Sequence, residues 1–384
     1  IGVGLVGSEM CIRDSNGEFY DFQRIRADLT AQGIRFSSKS DSEILLRLYQ
    51  QQGLEQTLPM LRGEFAFALF DRREDCLYLV RDRFGVKPQY WAMTPDGLVF
   101  GSELKVLFAH PAVERRFTSD GLFHQLMQTM VPGTTAFAGV HQVKPGHVLK
   151  VQRTAGRLEV SEWAYWDVNF PRQADRDRSL DEAHHIASVR SALLEAVELR
   201  MVADVPVGCY LSGGIDSCSI LGLASAVSQS PVKAFTIGFD DARYDESPIA
   251  EQMAQATGAQ QDVMRLSGQE LYGHMEQTLW HTERTIYNTL AVAKFLMSRH
   301  VNNVDYKVVM TGEGSDELFG GYPAFRRDMF LHGLDDLADD ERASWESLLQ
   351  DSNALVQGAM LAADQIDDPA LDAVVGFTPS CLQP

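Results

Sequence analysis

The sequence is poor in cysteine. Its five, Cys11, Cys76, Cys209, Cys218 and Cys381, show neither the paired spacing of a metal site nor the regular spacing of a disulfide framework. That pattern excludes a stapled secreted scaffold and fits a reducing compartment, the cytoplasm. Long apolar runs are missing as well. The stretch from Val205 to Val227 is interrupted by Asp216 and by Gly208, Gly213 and Gly214, groups that a bilayer would leave unsatisfied. No membrane contact is expected. Nor is there an excess of base: 34 lysines and arginines against 53 aspartates and glutamates give a net charge of −19. Such a field repels nucleic-acid backbones, so no nucleic-acid partner is expected, although a local cluster of amides and cations can still hold a nucleotide. What is present is the composition of a globular chain. Its 384 residues, 45% hydrophobic and 23% charged, can bury cores in about two or three domains. No fixed-period repeat runs through it.

The first fifteen residues, IGVGLVGSEMCIRDS, resemble translated adapter sequence and are set aside as a non-native leader. The alternative is a Gly/Val-rich edge strand. From Asn16 the patterns are regular. Phe22, Ile25 and Leu29 have helical spacing within Asp21 to Gln32, and Ile44, Leu45, Leu48 and Tyr49 mark a second helix over Ser42 to Gln51. The period then changes to two. Glu64 to Phe70 and Cys76 to Arg81 read as adjacent strands, with further short strands at Leu98 to Gly101 and His147 to Val151. Residues 16 to about 168 are therefore α+β with much antiparallel sheet, and polar Pro171 to Arg178 is the linker.

Beyond it, helices and strands alternate. A helix over Leu180 to Val202 precedes a strand at Val207 to Leu211 and a helix over Ser217 to Ser228. Strand Lys233 to Phe239, helix Ser247 to Thr257, a long helical stretch from Gly268 to His300 and strand Lys307 to Thr311 follow. This order predicts a parallel, doubly wound α/β sheet with ligands at the carboxyl ends of its strands.

At two of those ends stand glycine-rich turns. Ser212-Gly213-Gly214-Ile215-Asp216-Ser217 runs from an apolar strand into a helix. Side-chain-free glycines let amides close on an anion, the helix start adds its positive dipole end, and Ser212 and Ser217 offer hydroxyls. The turn has no lysine, so it is not the loop that grips a β/γ-phosphate pair. Asp216 inside an anion cradle calls for a cation, Mg2+. A lone SGG is more often an ordinary turn with a helix cap; the strand-turn-helix context favours phosphate. The second turn, Thr311-Gly312-Glu313-Gly314-Ser315-Asp316-Glu317, follows the last strand and carries three carboxylates beside apolar flanks. Its spacing does not fit an EF-hand calcium loop.

SGGIDS, Phe235-Thr-Ile-Gly238 and TGEGSDELFGGY together resemble the synthetase domain of asparagine synthetases, the N-type ATP pyrophosphatases. The resemblance implies that Ser212, Gly213, Gly214, Asp216 and Ser217 hold pyrophosphate and magnesium, and that Leu211, Ile237 and Gly312 line an adenosine pocket that Thr311 adjoins. It makes Asp316 a second contact to magnesium or pyrophosphate. Glu313 would lie near the reacting carboxylate and assist proton transfer when ammonia attacks.

Four earlier motifs resemble the N-terminal-nucleophile glutamine amidotransferase domain that precedes such synthetases: Asn16 to Asp21, Ser40 to Glu43, Gly63 to Asp71 and Arg81 to Pro88. The family implies an oxyanion hole from Asn16 and Gly17, and a glutamine subsite of Asn16, Glu18 and Asp41. In that subsite the two carboxylates hold the α-ammonium. Asp41 also stands where a helix cap is expected. The family's nucleophile, a cysteine at the mature N-terminus, has no counterpart, because residue 1 is Ile1 and Cys11 is internal. An upstream arginine is absent too. Cys76 reads as a strand or core residue. The family's C-terminal lysine cannot be placed on any residue. The expected organisation is thus a leader (1–15), a partial amidotransferase domain (16–168), a linker (169–179) and a C-terminally truncated synthetase domain (180–384).

The resemblance implies ATP-dependent amidation of aspartate through an aspartyl-adenylate. Its nitrogen would come from glutamine or ammonia, and ATP and Mg2+ would be the cofactors; the sequence leaves the oligomeric state open, a homodimer being one alternative. As it stands, the chain is not expected to hydrolyse glutamine. A β-lactam synthetase, another amidotransferase, or a catalytically silent ligand-binding protein would share every motif quoted.

Overall fold

The computed structural model describes residues 6–7, 11–129, 131–170, 175, 177, 179–241, 243–322, 324–325, 328, 343, 368–376 and 378–379, and all that follows concerns them. In chain order the elements begin β1 (Val6–Gly7), β2 (Cys11–Tyr20), α1 (Phe22–Ala31), α2 (Glu43–Gln52), α3 (Leu54–Thr57), β3 (Arg62–Asp71), β4 (Cys76–Arg81), β5 (Tyr90–Thr94), β6 (Gly97–Gly101), α4 (Leu104–Leu107), α5 (Ser119–Leu126), β7 (Val140–Gln142), β8 (His147–Thr154), β9 (Arg157–Ala164) and α6 (Glu182–Arg200). They continue with β10 (Val207–Tyr210), α7 (Ile215–Val227), β11 (Lys233–Phe239), α8 (Ser247–Thr257), β12 (Gln260–Leu266), α9 (Gly268–Gly273), α10 (Met275–Thr282), α11 (Leu290–Asn303), β13 (Val308–Met310), α12 (Ser315–Phe319) and α13 (Pro369–Val375). The chain divides into two compact units. The first comprises Ile1–Asp204, Phe239–Ala242 and Met264–Asp305; the second comprises Val205–Gly238, Arg243–Val263 and Tyr306–Pro384.

The first unit is built on an antiparallel sheet of order β1-β2-β3-β4-β8-β9, with a smaller sheet β6-β5-β7. Its centre is β3, whose sequence RGEFAFALFD is apolar on both faces. Phe65, Phe67 and Leu69 join Phe19, Ile25, Leu29, Ile44, Leu45 and Leu48 in one core, between the sheet and α1 and α2. Ala68 faces the other way, into a second core with Leu79, Val143, Leu149 and Val151. Period-2 alternation sends successive side chains to opposite faces. Each large side chain so buried contributes about 1.5–3 kcal/mol.

The α+β reading of this region and the parallel α/β reading of the second unit both match the structure. The second unit has a sheet of order β12-β11-β10-β13, with β10 parallel to both β11 and β13. Several elements differ from expectation. Cys11–Ser15, set aside above, form the first half of β2 and pair with β3, Cys11 opposite Asp71 and Ser15 opposite Phe67. The helical stretch Gly268 to His300 is three helices: α9 ends at Gly273 with His274 as its C-cap, and Glu283 takes a left-handed backbone with φ 55° and ends α10. Strands β5, β7, β9 and β12 were not foreseen. The residues of β9 and β12 are mostly exposed or half-buried, so no continuous buried face marks them in the sequence. The expected linker 171–178 lies outside the described residues except for Asp175 and Asp177.

Candidate functional site: two glycine turns at one sheet edge

In the second unit, β10 pairs Cys209 with Met310 on one side and with Ala234 on the other. The carboxyl ends of β10 and β13 therefore fall at the same edge, where both glycine turns begin. Leu211, 2% exposed, donates its amide to the Phe235 carbonyl (2.8 Å) and fixes the strand's exit. The chain then turns through Ser212-Gly213-Gly214 into α7.

Each amide of this turn meets an acceptor. The Ser212 N–H donates to Ser217 Oγ (3.1 Å), the Gly213 N–H to Glu246 Oε2 (3.1 Å) and the Gly214 N–H to Ser212 Oγ (3.2 Å). The two serine hydroxyls lie 2.8 Å apart. Three consecutive amides are thus engaged by oxygen atoms of the chain itself, and successive backbone amides are the donors that anion-binding turns use. Gly312, from the second turn, packs on the start of α7, and a Cβ there would lie 2.9 Å from the Ser217 nitrogen. A side chain at that point would press on the first turn of α7 at Asp216 and Ser217.

The carboxylates of the two turns feel one another. Burial, and then the negative charge of Asp316, raise the Asp216 carboxyl above its ordinary value. Asp316 accepts the Gly321 amide on its backbone carbonyl at 2.9 Å. The Glu313 side chain is exposed, and its amide donates to Thr311 Oγ1 at 3.4 Å. Ile237 is half-buried on β11, two residues past Phe235, the partner of Tyr210. The structure thus brings Ser212, Gly213, Gly214, Asp216, Ser217, Gly312 and Asp316 together. It places Leu211, Thr311, Ile237 and Glu313 at the same end of the sheet. Glu246 was missed, although the pair Asp245-Glu246 stands just after β11, at an edge the sheet logic had already marked.

In the first unit, Asn16, Gly17 and Glu18 lie on β2. Asn16 Nδ2 donates to Ser102 Oγ (3.4 Å). Gly17, at φ 125°, runs so close to β3 that a Cβ would come 2.8 Å from the Phe65 Cα. Asp41 Oδ2 accepts the Phe19 amide at 2.8 Å, while the N-cap of α2 is Ser42; the alternative of Asp41 as a helix cap does not hold. Burial raises the Glu18 carboxyl, and Asp41 adds to the shift; Lys87 opposes it, while Glu64 and Asp204 raise it further. The negative charge of Asp41 disfavours ionisation of Glu18, and a cation beside the pair opposes that shift, as Lys87 does. Beside them Glu64 accepts the Tyr20 hydroxyl (2.9 Å) and pairs with Arg200 (3.3 Å) and Lys87 (3.8 Å). The neighbouring motif Arg81 to Pro88 is architectural. The Asp82 carboxylate accepts the amides of Phe84, Val86 and Lys87 at 3.0–3.1 Å.

Glu43, in the Ser40 to Glu43 motif, is structural as well. Its carboxylate is 1% exposed and accepts the amides of Ser37 and Ser38, the Ser38 hydroxyl and the Arg47 guanidinium at 2.7–3.1 Å. Burial alone would raise its pKa, but these donors prevail and hold it at about 2.

The family model for asparagine synthase matches residues 188–372, and that for the glutamine amidotransferase domain matches residues 9–166. Glutamine-hydrolyzing asparagine synthetase 3 of Bacillus subtilis is 32% identical over 326 residues, 81% of this chain and 51% of its own length. The chain belongs to the asparagine synthase family. This family member is also similar to amidase chry2 of Gibberella zeae, at 36% identity over 88% of the chain and 50% of that protein. Amidase chyE of Penicillium rubens is 34% identical over 91% and 52%. The chain therefore spans about half the length of the curated relatives it matches. Among solved structures, the NH3-dependent NAD synthetase from Campylobacter jejuni aligns with 45% of the chain and 90% of its own, at 14% identity and a TM-score of 0.26. At that TM-score the likeness does not bear on activity. Among the described residues no helix is long and apolar enough to cross a membrane.

Proposed function

We propose that the protein is a glutamine-dependent amidotransferase ligase that activates a carboxylate with ATP and converts it to an amide, with aspartate as the acceptor and asparagine as the product. The carrying observation is the contact between the two glycine turns, which sets three oriented amides beside Asp216 and Asp316. An acceptor carboxylate is a poor acyl donor. It attacks the α-phosphorus of ATP, the bond to the β-phosphate's bridging oxygen breaks, and pyrophosphate leaves into the amide cradle formed by Ser212, Gly213 and Gly214, with the Ser217 hydroxyl beside them. Leu211, Ile237, Thr311 and Gly312 border the adenosine. Ammonia then attacks the acyl carbon, AMP departs, and Glu313 accepts the proton that the new amide sheds.

Mg2+ fits this site, since Asp216 and Asp316 are carboxylates whose repulsion a divalent cation relieves. It would neutralise the charge building on pyrophosphate. Among the described residues no three His, Cys, Asp or Glu side chains form a metal cluster, so phosphate oxygens would complete its shell. In the first unit, Glu18 and Asp41 would hold the glutamine ammonium, while Asn16 and Gly17 supply the oxyanion donors. Cytoplasmic location and homodimer formation remain part of this reading.

The similarity to amidases chry2 and chyE favours a second acceptor class, a carboxylate other than aspartate. The deciding measurement is AMP release, with product analysis, across a panel of carboxylates with ammonia as the nitrogen source. Aspartate should give AMP, pyrophosphate and asparagine. ADP and inorganic phosphate would show the turn to be misread, and AMP release with a different carboxylate would select the second acceptor.

A further inference from the structure

Of the three acceptors that fill the SGG turn, two are hydroxyls and one is charged. Ser217 and Ser212 can each rotate a hydroxyl proton toward an incoming phosphate oxygen and remain in place as donors. The Glu246 carboxylate cannot. It is acceptor-only, and it sits on the middle amide of the turn, Gly213 N–H, at 3.1 Å. The turn is also packed directly on the segment that carries this carboxylate, for a Cβ at Gly213 would lie 3.3 Å from Glu246 Cβ and 3.2 Å from Ile249 Cβ.

Glu246 is not held there by its own helix. It is the N-cap residue of α8 and makes no side-chain cap there. The neighbouring Asp245 accepts the Ser247 amide instead, at 3.1 Å. The Glu246 carboxylate reaches 33 residues back along the chain to the glycine turn. Two anions cannot share one amide, and a carboxylate left beside a polyphosphate repels it.

We infer that Glu246 is an internal competitor for the nucleotide: its carboxylate holds the Gly213 amide that a phosphate oxygen takes on binding, and so sets the affinity for the polyphosphate. This rests on the nucleotide reading of the turn and adds to it a residue that weakens binding. It opposes tight retention of pyrophosphate after the first half-reaction.

Inorganic pyrophosphate, titrated calorimetrically into the chain and into its Glu246→Gln and Glu246→Ala variants, tests this. Glutamine keeps an acceptor for Gly213 without the charge, so the turn keeps its shape. Both variants should bind metal-free pyrophosphate about five-fold more tightly at low ionic strength, with the gap narrowing as salt rises. A residue that served only the architecture of the turn would not tighten binding when removed. Equal affinities would overturn the inference and leave the nucleotide site standing. So would weaker binding confined to solutions containing Mg2+, which would make Glu246 a metal contact. No pyrophosphate binding by any of the three proteins would overturn the nucleotide reading itself.

Discussion

Gly312 lies against Asp216: a methyl group on Gly312 would stand 2.7 Å from the Asp216 Cβ, closer than real Cβ atoms approach. The contact joins turns that are nearly a hundred residues apart in the chain and seats the second turn on the start of α7. Gly312→Ala should force them apart at a cost of about 1–3 kcal/mol. Pyrophosphate affinity, read by calorimetry, should fall by about ten-fold, with a small drop in melting temperature. An unchanged affinity would mean that the turns separate freely and that the contact does not shape the site.

Asp216→Asn and Asp316→Asn should each reduce ammonia-dependent amide synthesis by about 100-fold or more, because they remove charge that would hold the metal and pyrophosphate. Asp41→Asn should leave that rate nearly intact and weaken only glutamine binding, since its proposed ligand is the glutamine ammonium. Ammonia-dependent rates and calorimetric glutamine affinity separate the two sites. If Asp216 merely began a helix, asparagine would replace it almost without effect.

Acid should weaken the first unit through Glu43. Its carboxyl has an ordinary value of 4.5 and is held at about 2 in the folded chain. The depressed value means that its contribution is complete above pH 4.5 and is lost as pH falls from there toward 2. Glu43→Gln should therefore cost on the order of 3 kcal/mol at pH 7 and progressively less in that acid window. Urea unfolding at pH 7 and at pH 3 checks it; the same loss at both would dissociate the effect from ionisation.

Glu283 ties distant parts of the first unit together. Its carboxylate accepts the Leu104 amide (2.6 Å) and the Lys105 amide (2.8 Å), and pairs with Lys105 Nζ (2.9 Å). Glu283→Ala leaves those donors without their acceptor and should destabilise the unit by about 2–4 kcal/mol. Glu283→Gln, which retains one acceptor oxygen, should lose less. Chemical denaturation of the two variants reads the difference directly.

The features most readable from sequence were those encoded locally. Glycines and serines directly after an apolar strand announced both turns, and Phe/Ala alternation announced β3. Glu246 and Glu283 escaped because each acts on backbone amides far away along the chain, and nothing in its own neighbourhood marks it. Glu283 also broke a pattern that looked helical throughout, since a left-handed residue other than glycine carries no compositional signal. Asp41 shows the reverse case. Its position suggested a cap, but its side chain turns to the Phe19 amide on β2, a tertiary contact that competes with the local one.

The first unit draws its members from both sides of the predicted linker. Glu195 and Arg200 of α6 meet Arg62 and Glu64 of β3, and the guanidinium of Arg200 lies 4.8 Å from the centre of the Tyr20 ring. An expression boundary placed between residues 168 and 180 would therefore sever these contacts. The excised N-terminal half would lose the guanidinium of Arg200 that pairs with Glu64 and lies over the Tyr20 ring, so a loss of stability in that half would reflect where it was cut.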